Sequence, residues 1–224
     1  MKRGNIVVYP RYQFGFVIGV RDATQHAIQS TKRAITILQQ GNHVHPELDH
    51  FAIVGHSLGG GITAEMAALA SESNLPSPKA VMPVQPFINN YSMMENFHAI
   101  PASALLLVVV GENDTVVGNS SGKIIFYTAD QIPLDQKDFV IQRTDKHGSP
   151  PLIADHGAPV SIPNSSWTNA MDYYSTWKLF DALTDYAFYG IEREYCFGNT
   201  QDQRFMGIWS DGVPVKELSV TDNP

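Results

Sequence analysis

The chain has 224 residues, 43% hydrophobic and 17% charged, with a formal net charge of −7. A chain of that size buries about 70% of its unfolded surface in one core, and its composition is that of an ordinary globular domain. The acidic balance argues against nucleic acid and anionic membrane surfaces as main partners, because both demand basic patches.

The elements alternate along the chain. Met1-Lys-Arg has the charge of a signal-peptide start, but the apolar run behind it, Ile6 to Val8, is too short for one. Asn5–Tyr9 is a short β-rich run ending at Pro10. Residues 23–40 have helical periodicity, with Ala27, Ile28, Ala34, Ile35 and Leu38 on one side and Gly41 just past the end. Phe51–Val54 reads as a buried strand, 59–71 as a helix and Ala80–Val84 as a third strand. Ala104–Val110 is apolar at all seven positions, as a central parallel strand must be. The same run is the longest apolar stretch, far short of the roughly 20 residues a membrane helix needs.

A helix over 121–131, a strand over 138–142 and a long helix over 169–188 follow. Between the last two, 144–166 is rich in Pro, Gly and His and reads as loop. Strands alternating with helices predict an α/β fold, a three-layer sandwich around a mainly parallel sheet. No repeat or linker divides the chain, so one domain over 1–224 is expected, with 197–224 as a C-terminal tail.

The chemistry concentrates in Gly55-His-Ser-Leu-Gly59, which fits the G-x-S-x-G nucleophile elbow. A tight strand-to-helix turn holds such a serine strained and exposed, and small residues two positions either side prevent collisions. The helix start also points backbone N–H groups at the place where an oxyanion forms. The bland alternative is a glycine-rich turn that only tightens packing.

A serine hydroxyl needs a histidine to take its proton and an acid to orient that histidine. In a parallel sheet these groups sit at the carboxyl ends of strands. Asp114, in the turn after 104–110, is the expected acid; a simple turn aspartate is its bland reading and Glu112 its neighbour and competitor. Two histidines compete as base. His147 follows the strand 138–142 directly and is preferred; His156, nine residues further along the loop, is the alternative, otherwise a pocket histidine bonded to Asp155.

These motifs resemble the α/β-hydrolase superfamily, and GHSLGGG and GENDTVV resemble its compact esterases, related to dienelactone hydrolases, cutinases and polyester hydrolases. The resemblance implies Ser57 as nucleophile, Asp114 as acid, His147 as base and the Leu58 N–H as one oxyanion donor, with no metal and no organic cofactor. In that family a further strand precedes the one at 5–9, lies between it and the elbow strand, and brings the second oxyanion N–H. Five strands are predicted here, fewer than the family's usual set, and a central one is missing. The resemblance therefore implies a minimal or N-terminally truncated α/β-hydrolase fold, in which either Asn5–Tyr9 pairs beside Phe51–Val54 or a homo-oligomer completes the sheet. Tyr12 is the candidate replacement donor.

Gln85 to Pro101 is long enough to wall a pocket, with Met93, Met94 and Phe97 as an acyl-binding wall or as ordinary packing. Trp167 and His56 are further pocket candidates. His43, His45, Glu47, Asp49 and His50 have metal-ligand chemistry but read as a solvated loop. The single cysteine, Cys196, reads as a buried small residue; it excludes an intramolecular disulfide and leaves the compartment open, with a cytoplasmic one favoured.

The resulting expectation is a serine carboxylesterase acting on short- to medium-chain esters through an acyl-enzyme, without a membrane span. Thioesterase, lactonase and polyester hydrolase activities share its triad. A non-catalytic binding protein derived from a hydrolase is the rival of a different class.

Overall fold

The computed structural model describes residues 4–12, 22–88, 96–160 and 168–224. Four parallel strands, β1 (Ala52–His56), β2 (Ala80–Val84), β3 (Leu105–Gly111) and β4 (Lys137–Gln142), lie side by side in chain order. A short antiparallel strand, β5 (Ser219–Thr221), closes the far edge against β4. Helices α1 (Ala23–Leu38), α2 (Leu58–Ala68) and α3 (Ser120–Thr128) cover one face. Helix α4 (Lys178–Tyr189) and the C-terminal segment cover the other. The fold is α/β.

The period-two alternation of β3 explains both cores. Leu106, Val108 and Val110 enter the core beneath α1–α3, while Leu105, Leu107 and Val109 enter the core beneath α4. Because both faces are covered, the run contains no polar position. Helix α2 is almost wholly buried, and its one acid, Glu65, accepts a bond from Thr24 of α1.

Two expectations need correction, the run at 5–9 and the regularity of the last long helix. Residues 4–12 form no strand; Val7 and Tyr9 are 73% and 92% exposed, and Asn5–Tyr9 does not pair with β1. A β-prone composition reports fitness for a packed, pleated surface rather than a backbone preference, and this run has no face to bury. Strand β1 is thus the last strand of the described sheet, and Val54 on it is 44% exposed. The long helix over 169–188 begins as a π-helical stretch, Asp172–Trp177, before regular α4. The tail is ordered: Phe197, Met206, Val215 and Leu218 are buried in the core under α4. Cys196 is buried as expected, its thiol pKa raised by that burial. Among the described residues no helix is long and apolar enough to cross a membrane.

The β4–β5 seam carries a titrating group. Asp138 is 3% exposed and accepts bonds from Gln203 Nε2 (2.8 Å) and Gly198 N (3.1 Å). Burial foremost, with a further push from Asp222, raises its carboxyl to about 6 against the opposition of those two donors. The folded chain therefore holds this proton more tightly than the unfolded chain, where an aspartate titrates near about 3.9. The group's contribution to stability is full below about pH 4 and is lost as pH rises through about 6. Urea unfolding of wild type and Asp138→Asn at about pH 7 and about pH 4.5 checks this. Wild type is expected to gain on the variant at the lower pH; a constant difference contradicts the assignment.

Candidate active site

Ser57, Gln85, Asp114 and His156 lie past the carboxyl ends of β1, β2, β3 and β4 respectively. Ser57, between β1 and α2, has φ 58° and ψ −123°, a left-handed conformation costing a non-glycine residue about 1–3 kcal/mol. The surroundings hold it there. Its N–H donates to Val84 O (3.0 Å), and its carbonyl accepts from Gly60, Gly61 and Phe87 N–H at 2.9, 3.2 and 2.9 Å. A Cβ on Gly55 would run into the Gly59 carbonyl and lie 2.7 Å from Thr63 Oγ1, so position 55 must be glycine. On the helix side the collision falls one residue later than the motif implies. Gly59 has room for a Cβ, whereas one on Gly60 would meet Val84 O and Pro86 Cα at 2.9 Å.

Asp114 follows β3, its side chain fully buried. One carboxylate oxygen, Oδ1, accepts from Val116 N (2.9 Å) and Val117 N (3.1 Å), the turn role of an aspartate. The other, Oδ2, lies 2.8 Å from His156 Nδ1. His156 Nε2 in turn lies 2.9 Å from Ser57 Oγ. The carboxylate can only accept, so Nδ1 carries the proton and Nε2 presents its lone pair to the serine hydroxyl.

The preference for His147 over His156 is overturned by this geometry. His147 Nε2 pairs instead with Asp211 Oδ2 at 2.7 Å, its side chain is 42% exposed, and its ring sits against Trp209. Sequence distance from the strand end misled because the loop makes an excursion. Asp145 and Leu152 exchange two backbone bonds of 2.8 Å, closing off 146–151 and returning the chain to the sheet. From there Asn113 N donates to Ala154 O (2.9 Å) and Ala154 N to Thr144 Oγ1 (3.0 Å), which brings residue 156 back over β3. The C-terminal segment clamps the base of the loop through Trp209 Nε1 and Lys216 N, both donating to Asp145 Oδ2. His156 does not bond Asp155, whose carboxylate accepts from Gly157 N.

Among the described residues, the Leu58 N–H at the start of α2 has no hydrogen-bond acceptor. The Tyr12 hydroxyl comes within 3.4 Å of where a Gly59 Cβ would sit, and burial followed by the Tyr9 charge raises its pKa, keeping it a donor. Glu112 is engaged elsewhere, by Arg143 Nε (3.0 Å) and Thr144 N (2.9 Å), which leaves Asp114 as the acid facing a histidine. His56 Nε2 lies 3.1 Å from Gln85 Oε1, and its ring centroid is 4.6 Å from that of His156. Burial foremost lowers the His56 pKa, which favours the neutral form of the ring beside His156. Gln85 was not anticipated; the one available signal is a polar residue between an all-apolar strand and Pro86.

Phe97 is fully buried in the core under α1–α3. Met93, Met94 and Trp167 lie outside the described residues. Of the possible metal cluster, Glu47, Asp49 and His50 come within 4.8 Å of one another, without His43 or His45. His50 pairs with Glu47 at 2.9 Å and stacks on Phe188, which accounts for its placement.

No family model matches the chain, and no curated protein matches it. Among solved structures it is similar to an esterase/lipase from an uncultured bacterium, at 18% identity and a TM-score of 0.37. That match covers 54% of this chain and 50% of the other, so the chain spans about half the length of the structure it matches.

Proposed function

We propose that the chain is a serine carboxylesterase, with Ser57 as nucleophile, His156 as general base and Asp114 as the acid that orients it. The reading rests on one observation, the unbroken path Asp114 Oδ2–His156 Nδ1 and His156 Nε2–Ser57 Oγ, both links under 3 Å. Ser57 Oγ attacks the ester carbonyl carbon while its proton passes to His156 Nε2. The Leu58 N–H, with the Tyr12 hydroxyl as second donor, stabilises the oxyanion. Collapse of that intermediate breaks the ester C–O bond, and the departing alkoxide takes the proton from His156. Water, deprotonated by His156, then attacks the acyl-enzyme; the acid leaves and the proton returns to Ser57. Asp114 stabilises the imidazolium at both stages.

Short- to medium-chain esters are the proposed substrates. Thioesters, lactones and polyesters present the same carbonyl chemistry to the same triad and differ only in the leaving group. Mixing the chain with excess p-nitrophenyl acetate is expected to release about one p-nitrophenol per chain in a burst before steady turnover. Absence of both burst and turnover contradicts the enzyme reading and favours the non-catalytic binding protein.

A further inference from the structure

We propose that Gln85 is the positioning residue that holds the base-bearing loop in reach of the nucleophile; the inference rests on the triad reading above. Gln85 sits directly past β2, fully buried, in a left-handed backbone conformation of φ 41°. Its N–H donates to Val109 O of β3 at 2.6 Å, so the residue is pinned to the sheet between the nucleophile strand and the acid strand. A non-glycine residue keeps such a backbone only where its surroundings over-determine it.

The side chain spans the two halves of the site. Nε2 donates to Asp155 O at 2.7 Å, which fixes the peptide unit joining Asp155 to His156. Oε1 must then be the end facing His56 Nε2, so that histidine donates. His56 is the chain neighbour of Ser57, and its ring packs against His156. One planar amide therefore ties the segment carrying the nucleophile to the segment carrying the base. Neither end touches Ser57 Oγ or the ring nitrogens of His156, so Gln85 acts through its neighbours.

The fold leaves room for this tie. A Cβ on Gly111 would lie 2.6 Å from Gln85 Nε2 and 2.5 Å from Ala154 O, so that glycine lets loop and amide settle onto the end of β3. Glutamine suits the position because the site asks for one donor and one acceptor on a single rigid unit. Glutamate lacks the donor, and methionine matches the length with neither group. A shift of about 1 Å in a reacting group can cost about a hundredfold in rate.

The test compares Gln85→Met with wild type and Ser57→Ala on p-nitrophenyl acetate, with thermal unfolding recorded for each. The expected result is abolished turnover in Ser57→Ala. In Gln85→Met, kcat falls about tenfold to a hundredfold, KM stays within about twofold, and the chain remains folded. Wild-type kcat in Gln85→Met with Ser57→Ala inactive overturns the inference and leaves the triad standing. Full turnover in Ser57→Ala overturns the triad reading and this one with it. Should Gln85→Met unfold the chain, His56→Phe removes the same tie from its other end. It is expected to lower the rate at which a fluorophosphonate modifies Ser57 by the same factor, and an unchanged rate overturns the inference.

Discussion

Alanine in place of His156 is expected to lower kcat on a p-nitrophenyl ester by about 10⁴–10⁶, whereas His147→Ala stays within about twofold. The two histidines are nine residues apart on one loop, yet their surroundings separate them completely. His156 accepts from Ser57 Oγ at 2.9 Å and is oriented by a fully buried carboxylate. On the proposed mechanism, loss of that imidazole leaves the hydroxyl with its proton and the proposed oxyanion donors acting alone, hence the size of the expected loss. His147 has its Nε2 taken by Asp211 and anchors the closed excursion of the loop. Its removal disturbs the partly exposed seam with Trp209 and leaves Ser57 untouched. Steady-state kinetics on the two variants check the pair of outcomes. Activity lost only in His147→Ala would reverse the assignment.

Asp114→Asn is expected to cost about 10⁴ in kcat with little effect on thermal unfolding. The geometry specifies how. Oδ1 is committed to the Val116 and Val117 N–H groups, a role an amide oxygen fills equally well. The amide nitrogen is then forced into the position of Oδ2, facing His156 Nδ1. An amide nitrogen donates, so Nδ1 must accept and the ring proton moves to Nε2, against Ser57. The base is now in the wrong tautomer while the fold is intact. Kinetics combined with a thermal melt distinguish this from simple loss of structure; near-normal kcat in a folded Asp114→Asn chain contradicts it.

The tight glycine-bounded turn at Ser57 and the central strands were legible because each is dictated by local rules. Gly55 is required by a close approach to the Gly59 carbonyl, and β3 is apolar throughout because both its faces are buried. That His156 rather than His147 lies beside Ser57 depends on the two-bond closure between Asp145 and Leu152, a tertiary contact that spacing along the chain does not reveal. The exposed run at 5–9 shows the converse error, a β-prone composition without a surface to pack on. Strand β5 was missed because three residues, Ser219–Thr221, carry too little pattern to stand out from a tail. The two contacts of Gln85 are not legible in the sequence because its amide spans residues 56 and 155, which are distant along the chain.

On the proposed reading Ser57 is an activated nucleophile whose base is His156. Mass spectrometry after exposure to a fluorophosphonate tests it most directly, on wild type and on His156→Ala. One phosphonyl group on the peptide containing Ser57 in wild type, and its loss in His156→Ala, is the predicted result. An unlabelled Ser57 in the folded wild-type chain, or equal labelling in the variant, would contradict the claim.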